Sequence, residues 1–358
     1  MDLVYYTPHR LYSYNNILHN YPEQHSFSQM FNASISLIDR SASINCPPIA
    51  CHVLDPLPKW TPTVSFEEIC RNRYQQILDL ALDSVKKLVI FYSGGIDSTL
   101  IAALAISHPN FMRDRDNILL AFSEESIKEN PVFWKEHLLK SFGHRIESAS
   151  GFHLLITNPE NLCITGEFAD NIFGSLTVKS YMDATGDLDA IHKRFSVTGQ
   201  EWLLNKITNQ SHRDACQHMI ETILSVSPHN LKSNHDCFWW LNFVLKWQAV
   251  KFRLVSHAPQ SSFINPMIQN VLHFFETIEF QNWAVMTNEI KVENDWKSYK
   301  LPAKKLIYSI NQDQYYLNWK TKYPSIPGLT RYTNMYDFIY YDSITNIYHG
   351  SHDLIIVS

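Results

Sequence analysis

The feature that most constrains this chain is a hexapeptide, Ser93-Gly94-Gly95-Ile96-Asp97-Ser98, set between two apolar stretches of different character. Before it stands Leu88-Val89-Ile90-Phe91-Tyr92, a run without polar alternation, as expected of a strand buried on both faces of a parallel sheet. After it, residues 99–107 form an apolar helical stretch. Adjacent glycines let the backbone turn tightly and approach an oxyanion with no side chain in the way. The N–H groups of the turn and of the first helical turn then converge on one spot, where the helix dipole also favours negative charge. Ser93 and Ser98 add hydroxyl donors. Asp97 repels a phosphate unless a cation sits between them, which suits Mg2+. A lone Gly-Gly is an ordinary turn; the full hexapeptide between strand and helix reads as a nucleotide loop. The Gly-Lys-Ser/Thr ending of a Walker loop is missing.

The strand–helix order repeats downstream. Residues 118–122 read as a second strand, 131–142 as a helix, 153–157 as a further strand and 161–165 as the next buried one. The expected fold class is therefore α/β, a parallel sheet with helices on both faces. Upstream, Ser65-Phe66-Glu67-Glu68 opens a helix that Ser65 caps, with Glu68 completing a capping box. Residues 55–62 hold Pro56, Pro58 and Pro62, which oppose regular structure and suggest a boundary. The reading divides the chain into a small β-rich or irregular N-terminal extension, 1–60, a main domain, 61–330, and a C-terminal extension, 331–358, with the aromatic and β-branched residues of strands. Helical patterns dominate from about 187 to 308, including 214–224 and 236–255, which makes the C-terminal part mainly helical.

A second motif follows the strand Leu162-Cys163-Ile164: Thr165-Gly166-Glu167-Phe168-Ala169-Asp170-Asn171-Ile172-Phe173-Gly174. Ligands of open parallel sheets gather at the carboxyl ends of strands, where Asp97 and Asp170 would share one Mg2+ against a triphosphate. Glu167, just past the strand end, is placed to position an acceptor or handle a proton.

Ser-Gly-Gly-x-Asp-Ser is the signature of the ATP pyrophosphatase (PP-loop) superfamily, which this chain resembles. The second motif is similar to the Ser-Gly-Glu-Gly-Ala-Asp-Glu-Leu-Phe-Gly-Gly segment of asparagine synthetases, and the layout resembles β-lactam synthetases and lasso-peptide cyclases. The resemblance implies an adenine nucleotide α-hydrolase-like fold that binds ATP through Ser93, Gly94, Gly95, Asp97, Ser98, Thr165 and Gly166, with Mg2+ on Asp97 and Asp170. It implies that a substrate oxygen attacks the α-phosphorus, leaving an adenylated intermediate and pyrophosphate. Lys320-Thr321-Lys322-Tyr323-Pro324 resembles the family's C-terminal Arg-x-Lys-x-Gly-Phe-Pro segment, which assigns the phosphate-contacting lysine to Lys320, with Lys322 next. Phe122-Ser123-Glu124-Glu125-Ser126 falls where the family's second strand ends near the adenosine, and Phe263-Ile264-Asn265-Pro266-Met267-Ile268 is similar to its Arg-x-Pro-Phe-Leu-Asp stretch without Arg and Asp. In the second motif Phe168 replaces the first inner Gly, Asn171 the usual Glu and Ser175 the closing Gly. Position 2 is Asp2 rather than the Cys of a glutaminase half, so no release of ammonia from glutamine is expected.

The formal charge of −5 gives no general attraction to nucleic acid. Six cysteines form no C-x-x-C pair, His137, His144 and His153 lack metal-ligand spacing, and the aromatics Trp239, Trp240, Trp247 and Phe252 read as core. No run of 18 apolar residues and no leader pattern is found, so the expectation is a cytoplasmic protein off the membrane. Its expected partner is a small-molecule or peptide acceptor, with a partner protein possible. The chemistry expected is carboxylate adenylation followed by attack of an amine; adenylation of a nucleobase or nucleoside, and a degenerate ATP-binding regulatory module, are the alternatives.

Overall fold

A computed structural model describes residues 1–31, 35–147, 152–293, 295–321 and 336–355. Among them eight strands form, in chain order β1 (Asp2–Tyr6), β2 (Lys87–Phe91), β3 (Ile118–Phe122), β4 (His144–Glu147), β5 (Asn161–Thr165), β6 (Val271–His273), β7 (Phe338–Asp342) and β8 (Ile347–Ser351). The chain divides into two compact units: Trp60–Ala169 with Ala258–Asn334, and Met1–Lys59 with Asp170–His257 and Met335–Ser358.

The first unit is built on a five-stranded parallel sheet of order β4-β3-β2-β5-β6. Leu88, Val89 and Ile90 are all fully buried although successive side chains point to opposite faces, so both faces are covered at β2. Every residue of β5 is buried as well. Helix Phe66–Asp83 starts at Ser65, whose hydroxyl accepts from the Glu68 N–H at 3.3 Å, and buries Phe66, Ile69, Cys70, Tyr74, Ile77, Leu78 and Ala81 on one face. It packs on β2 and on helix Ile96–Ser107. That second helix buries nine of its twelve residues, a near-continuous apolar surface that belongs inside a fold. Each large aliphatic side chain so buried stabilises by about 1.5–3 kcal/mol.

Three expectations for this unit are corrected. Residues 153–157 are not a strand: they lie in helix Phe152–Thr157, because Phe152 and Ile156, four apart, are the buried pair. The strand beyond β3 is instead β4, whose four side chains are all exposed. It is held by backbone pairing with β3 (Leu119↔His144 to Phe122↔Glu147) and so leaves no apolar signal. The helical stretch downstream also contains β6, three residues long, paired to β5. The helix over 131–142 forms with a break: Pro131–Phe133 and Leu139–Ser141 flank a π turn at Trp134–Leu138.

The second unit carries an antiparallel sheet of order β1-β7-β8, which pairs the beginning of the chain with its C-terminal section through Leu3↔Tyr340 and Tyr6↔Phe338. Leu3, Tyr6, Leu11, Tyr12, Ile17, Ile38, Phe338 and Tyr340 form its local core. The β-rich reading of 1–60 is corrected: β1 is the one strand among the described residues there, followed by helices Pro8–Leu11, Asn15–Asn20 and Pro22–Met30. The anticipated helices appear as Gln210–Ser225, Asn234–Leu245 and Trp247–Arg253. Trp239, Trp240, Trp247 and Phe252 are core, and the Trp240 indole donates to the Ile223 carbonyl at 2.8 Å. All six cysteines are free. Among the described residues no helix is long and apolar enough to cross a membrane.

Candidate functional site

In the parallel-sheet unit the chain runs from β2 outward to β3 and β4, then returns to place β5 on the other side of β2, with β6 beyond it. The strand order reverses between β2 and β5. In open parallel sheets that reversal opens a crevice at the carboxyl ends of the two strands, the usual place for a ligand. The two sequence motifs are the loops that leave those two ends.

The first loop is shaped by Gly94, at φ +76°, a conformation costly for any residue with a Cβ. There is no room for one: it would strike the Ser126 carbonyl and lie 2.7 Å from Cβ of Glu129. Gly95 is the N-cap of helix Ile96–Ser107 and offers no side chain to its N–H groups. The first N–H groups of a helix have no partner within it; the Gly95 N–H donates to Ser93 Oγ at 3.4 Å. Ser98 is buried and closes the turn, its hydroxyl accepting from the Ser93 N–H at 3.0 Å and donating to the Gly95 carbonyl at 3.3 Å. Ser93 Oγ lies 3.0 Å from Ser98 Oγ. Both serines thus hold the loop in shape.

The second loop meets the first at Gly166. A Cβ on this glycine would sit 2.8 Å from Asp97 Cβ and 3.3 Å from the Ser98 nitrogen. Only the absence of a side chain lets the loop after β5 rest on the head of the helix after β2. Thr165 is buried, its Oγ1 2.7 Å from His273 Nδ1 and accepting from the Glu167 N–H at 3.4 Å. Phe168 has φ +70° and is buried against His273, ring centroids 5.3 Å apart. Left-handed backbone at a non-glycine residue stores strain.

Two ion pairs flank the glycine loop. Lys300 donates to both carboxylate oxygens of Asp97 at 2.6 Å, and its side chain is 1% exposed. It sits at φ +62° just before helix Leu301–Asn311, beside Tyr299, whose ring stacks on Trp296 at 4.1 Å. Lys320 pairs with the Glu129 carboxylate and donates to the Glu129 carbonyl at 2.9 Å. Behind the loop lie two buried phenols, Tyr92 and Tyr316, with Thr99, whose hydroxyl accepts from the Asn130 amide at 3.4 Å. Burial raises both phenol pKa values, with Thr99 lowering them and Glu129 raising them, so both stay neutral hydroxyls. Burial pushes the Lys304 ammonium down to about 8, opposed by Asp295 and assisted by Lys320.

Within this unit the fold thus gathers Ser93, Gly94, Gly95, Asp97, Ser98, Gly166 and, through Glu129, Lys320. Thr165 and Glu167 belong to the abutting loop. Asp170 lies in the other unit, on helix Ala169–Phe173, where its carbonyl accepts from the Asn242 amide at 3.2 Å. Asn171 is buried there; its amide donates to the Asn242 carbonyl at 3.2 Å and its own carbonyl accepts from Trp239. A neutral amide suits that enclosed place better than a glutamate. Ser123 and Ser126 cap each other at the start of helix Glu124–Glu129, which leaves the Ser126 carbonyl facing Gly94. Phe263 to Ile268 lies on the approach to β6, with Ile264 and Met267 buried. Lys322 and the rest of its motif lie outside the described residues.

Sequence reasoning missed Lys300 and Glu129. Neither sits in a motif, and each is about two hundred residues from its partner, so no local signal marks it. The glycine turn, the helix start behind it and the Lys300 and Lys320 ammonium groups beside it are donors of the kind that hold phosphate. For Mg2+ the fit is narrower. Among the described residues no three His, Cys, Asp or Glu side chains converge on one point. Mg2+ is commonly held by one or two carboxylates plus substrate phosphates, and a carboxylate has about four acceptor positions, so Asp97 can serve Lys300 and a phosphate-borne ion together. Compared with protein-family models and with curated proteins, the chain matches none.

Proposed function

We propose that this protein is an ATP-dependent, AMP-forming ligase of the adenine nucleotide α-hydrolase-like fold, which adenylates a substrate carboxylate and passes the acyl group to an amine. The observation that carries the reading is the contact of Gly166 with Asp97 at the reversal of strand order, which brings two strand-end loops around one anion cradle. In the first step a carboxylate oxygen attacks the α-phosphorus of ATP, and the bond to the β-phosphate bridge oxygen breaks to release pyrophosphate. In the second an amine attacks the acyl carbon and AMP leaves with the bonding electrons, the amine losing one proton.

The chain's own groups have defined parts in this reading. The N–H groups at Gly94, Gly95 and the head of helix Ile96–Ser107 receive phosphate oxygens. Lys320 offsets the charge that grows on departing pyrophosphate, and Lys300 holds Asp97 in place. Asp97 would hold a magnesium ion brought by the triphosphate, and that ion would supply further charge neutralisation. Glu167, on the abutting loop, positions the acceptor or takes the amine proton. The acceptor is a small molecule or a peptide, and the setting a cytoplasmic one without membrane attachment.

The test is pyrophosphate release from ATP and Mg2+ in the presence of separate pools of amino acids, peptides and nucleosides. Stimulation by amino acids or peptides supports the ligase. Stimulation by nucleosides alone transfers the chemistry to a base, and ATP binding without release in any pool leaves a regulatory module.

A further inference from the structure

Glu129 joins two parts of the site that the reaction uses separately. Its Cβ and Cγ fill the space in front of Gly94, where a built Cβ would lie 2.7 and 2.9 Å from them. Its carboxylate pairs with Lys320, and its carbonyl accepts from the same ammonium at 2.9 Å. The two side chains are 21% and 10% exposed, so water screens the pair weakly. Lys320 is also fixed from behind: its backbone N–H donates to the carbonyl of buried Tyr316 at 3.1 Å. Glu129 thus offers this ammonium both a carbonyl and a carboxylate, and the carboxylate carries charge of the same sign as phosphate. Among the described residues, Asp97 pairs with Lys300 and Glu129 with Lys320 beside the loop. An anion that enters beside Lys320 competes with Glu129 for its ammonium. The Glu129–Lys320 pair is the more accessible, and its main-chain anchor survives opening.

We propose that Glu129 is a built-in competitor for Lys320: its carboxylate holds the ammonium without nucleotide and yields it when the outer phosphates enter the glycine loop. The inference rests on the ATP reading above and adds a regulation of the same loop. Because the carbonyl of Glu129 stays in place, Lys320 pivots toward the phosphates without being lost to solvent. A polyphosphate carries more charge than a carboxylate and wins the ammonium; a singly charged anion does not.

The experiment is calorimetric titration of inorganic pyrophosphate with Mg2+ into the full chain, as wild type, Glu129→Gln and Glu129→Gln with Lys320→Gln, the last compared with Lys320→Gln alone. Glutamine keeps the size and one acceptor oxygen but removes the competing charge. Glu129→Gln should bind pyrophosphate roughly two- to fivefold tighter than wild type, the scale of a charge pair near the surface. The gain should vanish in the Lys320→Gln background. Unchanged or weaker binding in Glu129→Gln would overturn the competition and make Glu129 a simple anchor. A gain that persists without Lys320 would also overturn it, as a diffuse effect of charge. If Glu129→Gln does not fold, Glu129→Asp, which withdraws the carboxylate by one methylene, is read by the same criterion. Wild type that binds neither pyrophosphate nor ATP would sink the ATP reading itself, whereas wild-type binding without a gain sinks only the competitor.

Discussion

Lys300 holds both oxygens of Asp97 at 2.6 Å from a position that solvent does not reach. Removing one member of such a pair leaves the other charge buried and uncompensated. Lys300→Met should therefore cost about 3–5 kcal/mol of stability in urea denaturation. Combining it with Asp97→Asn should recover part of that loss, with a coupling of about 1–3 kcal/mol in the double-mutant cycle. Additive losses would mean that the pair is not a unit.

Gly94 and Gly186 share a left-handed backbone, at φ +76° and +67°, but differ in surroundings. Nothing lies within 4 Å of a Cβ on Gly186, so Gly186→Ala should cost about 1 kcal/mol, the strain of the dihedral alone. Gly94→Ala adds a collision with the Ser126 carbonyl and should cost about 2 kcal/mol or more, with loss of ATP binding. Equal melting temperatures for the two variants would contradict this account of the loop.

Phe168 should invert the usual ranking of alanine over glycine. Both replacements empty the space beside His273 and lose the aromatic burial. At φ +70° glycine is free of strain and alanine is not. Phe168→Gly should therefore be more stable than Phe168→Ala by about 1 kcal/mol. Alanine ranking above glycine in thermal melts would argue against the left-handed backbone.

Lys304 sets a pH dependence whose sign follows from its depressed pKa of about 8. A lysine in the unfolded chain titrates near about 10.4, so between those values the unfolded state binds the extra proton. Its charge penalises the folded state fully below about pH 8, and the penalty fades as pH rises toward about 10.4. The stability gap between wild type and Lys304→Met should drift in favour of wild type across that window, as followed by denaturation at several pH values. A gap independent of pH would contradict the depressed pKa.

How much of this was legible in the sequence depended on how local the cause is. The Ser65 cap, the strand Ile118–Phe122 and the shape of the Ser93–Ser98 loop follow from neighbours within a few residues, and reading them needs no fold. β4 was missed because its exposed side chains, His144, Arg145, Ile146 and Glu147, follow no burial pattern. β6 is too short for periodicity to register. Residues 153–157 were misread because a short run with Leu154, Leu155 and Ile156 fits a strand as well as a helix. Lys300 and Glu129 lie beyond any such reading: their contacts arise only when the start of helix Leu301–Asn311 and the end of helix Glu124–Glu129 are folded against the glycine loop.

The most direct measurement of the central claim is which bond of ATP the protein breaks, read as products from ATP and Mg2+ with a stimulating acceptor pool, for wild type and Asp97→Ala. The account predicts AMP and pyrophosphate in equal amounts from wild type, and at least tenfold less from Asp97→Ala, about 1.4 kcal/mol or more of lost stabilisation. ADP and phosphate as products, or no binding of ATP at all, would contradict it.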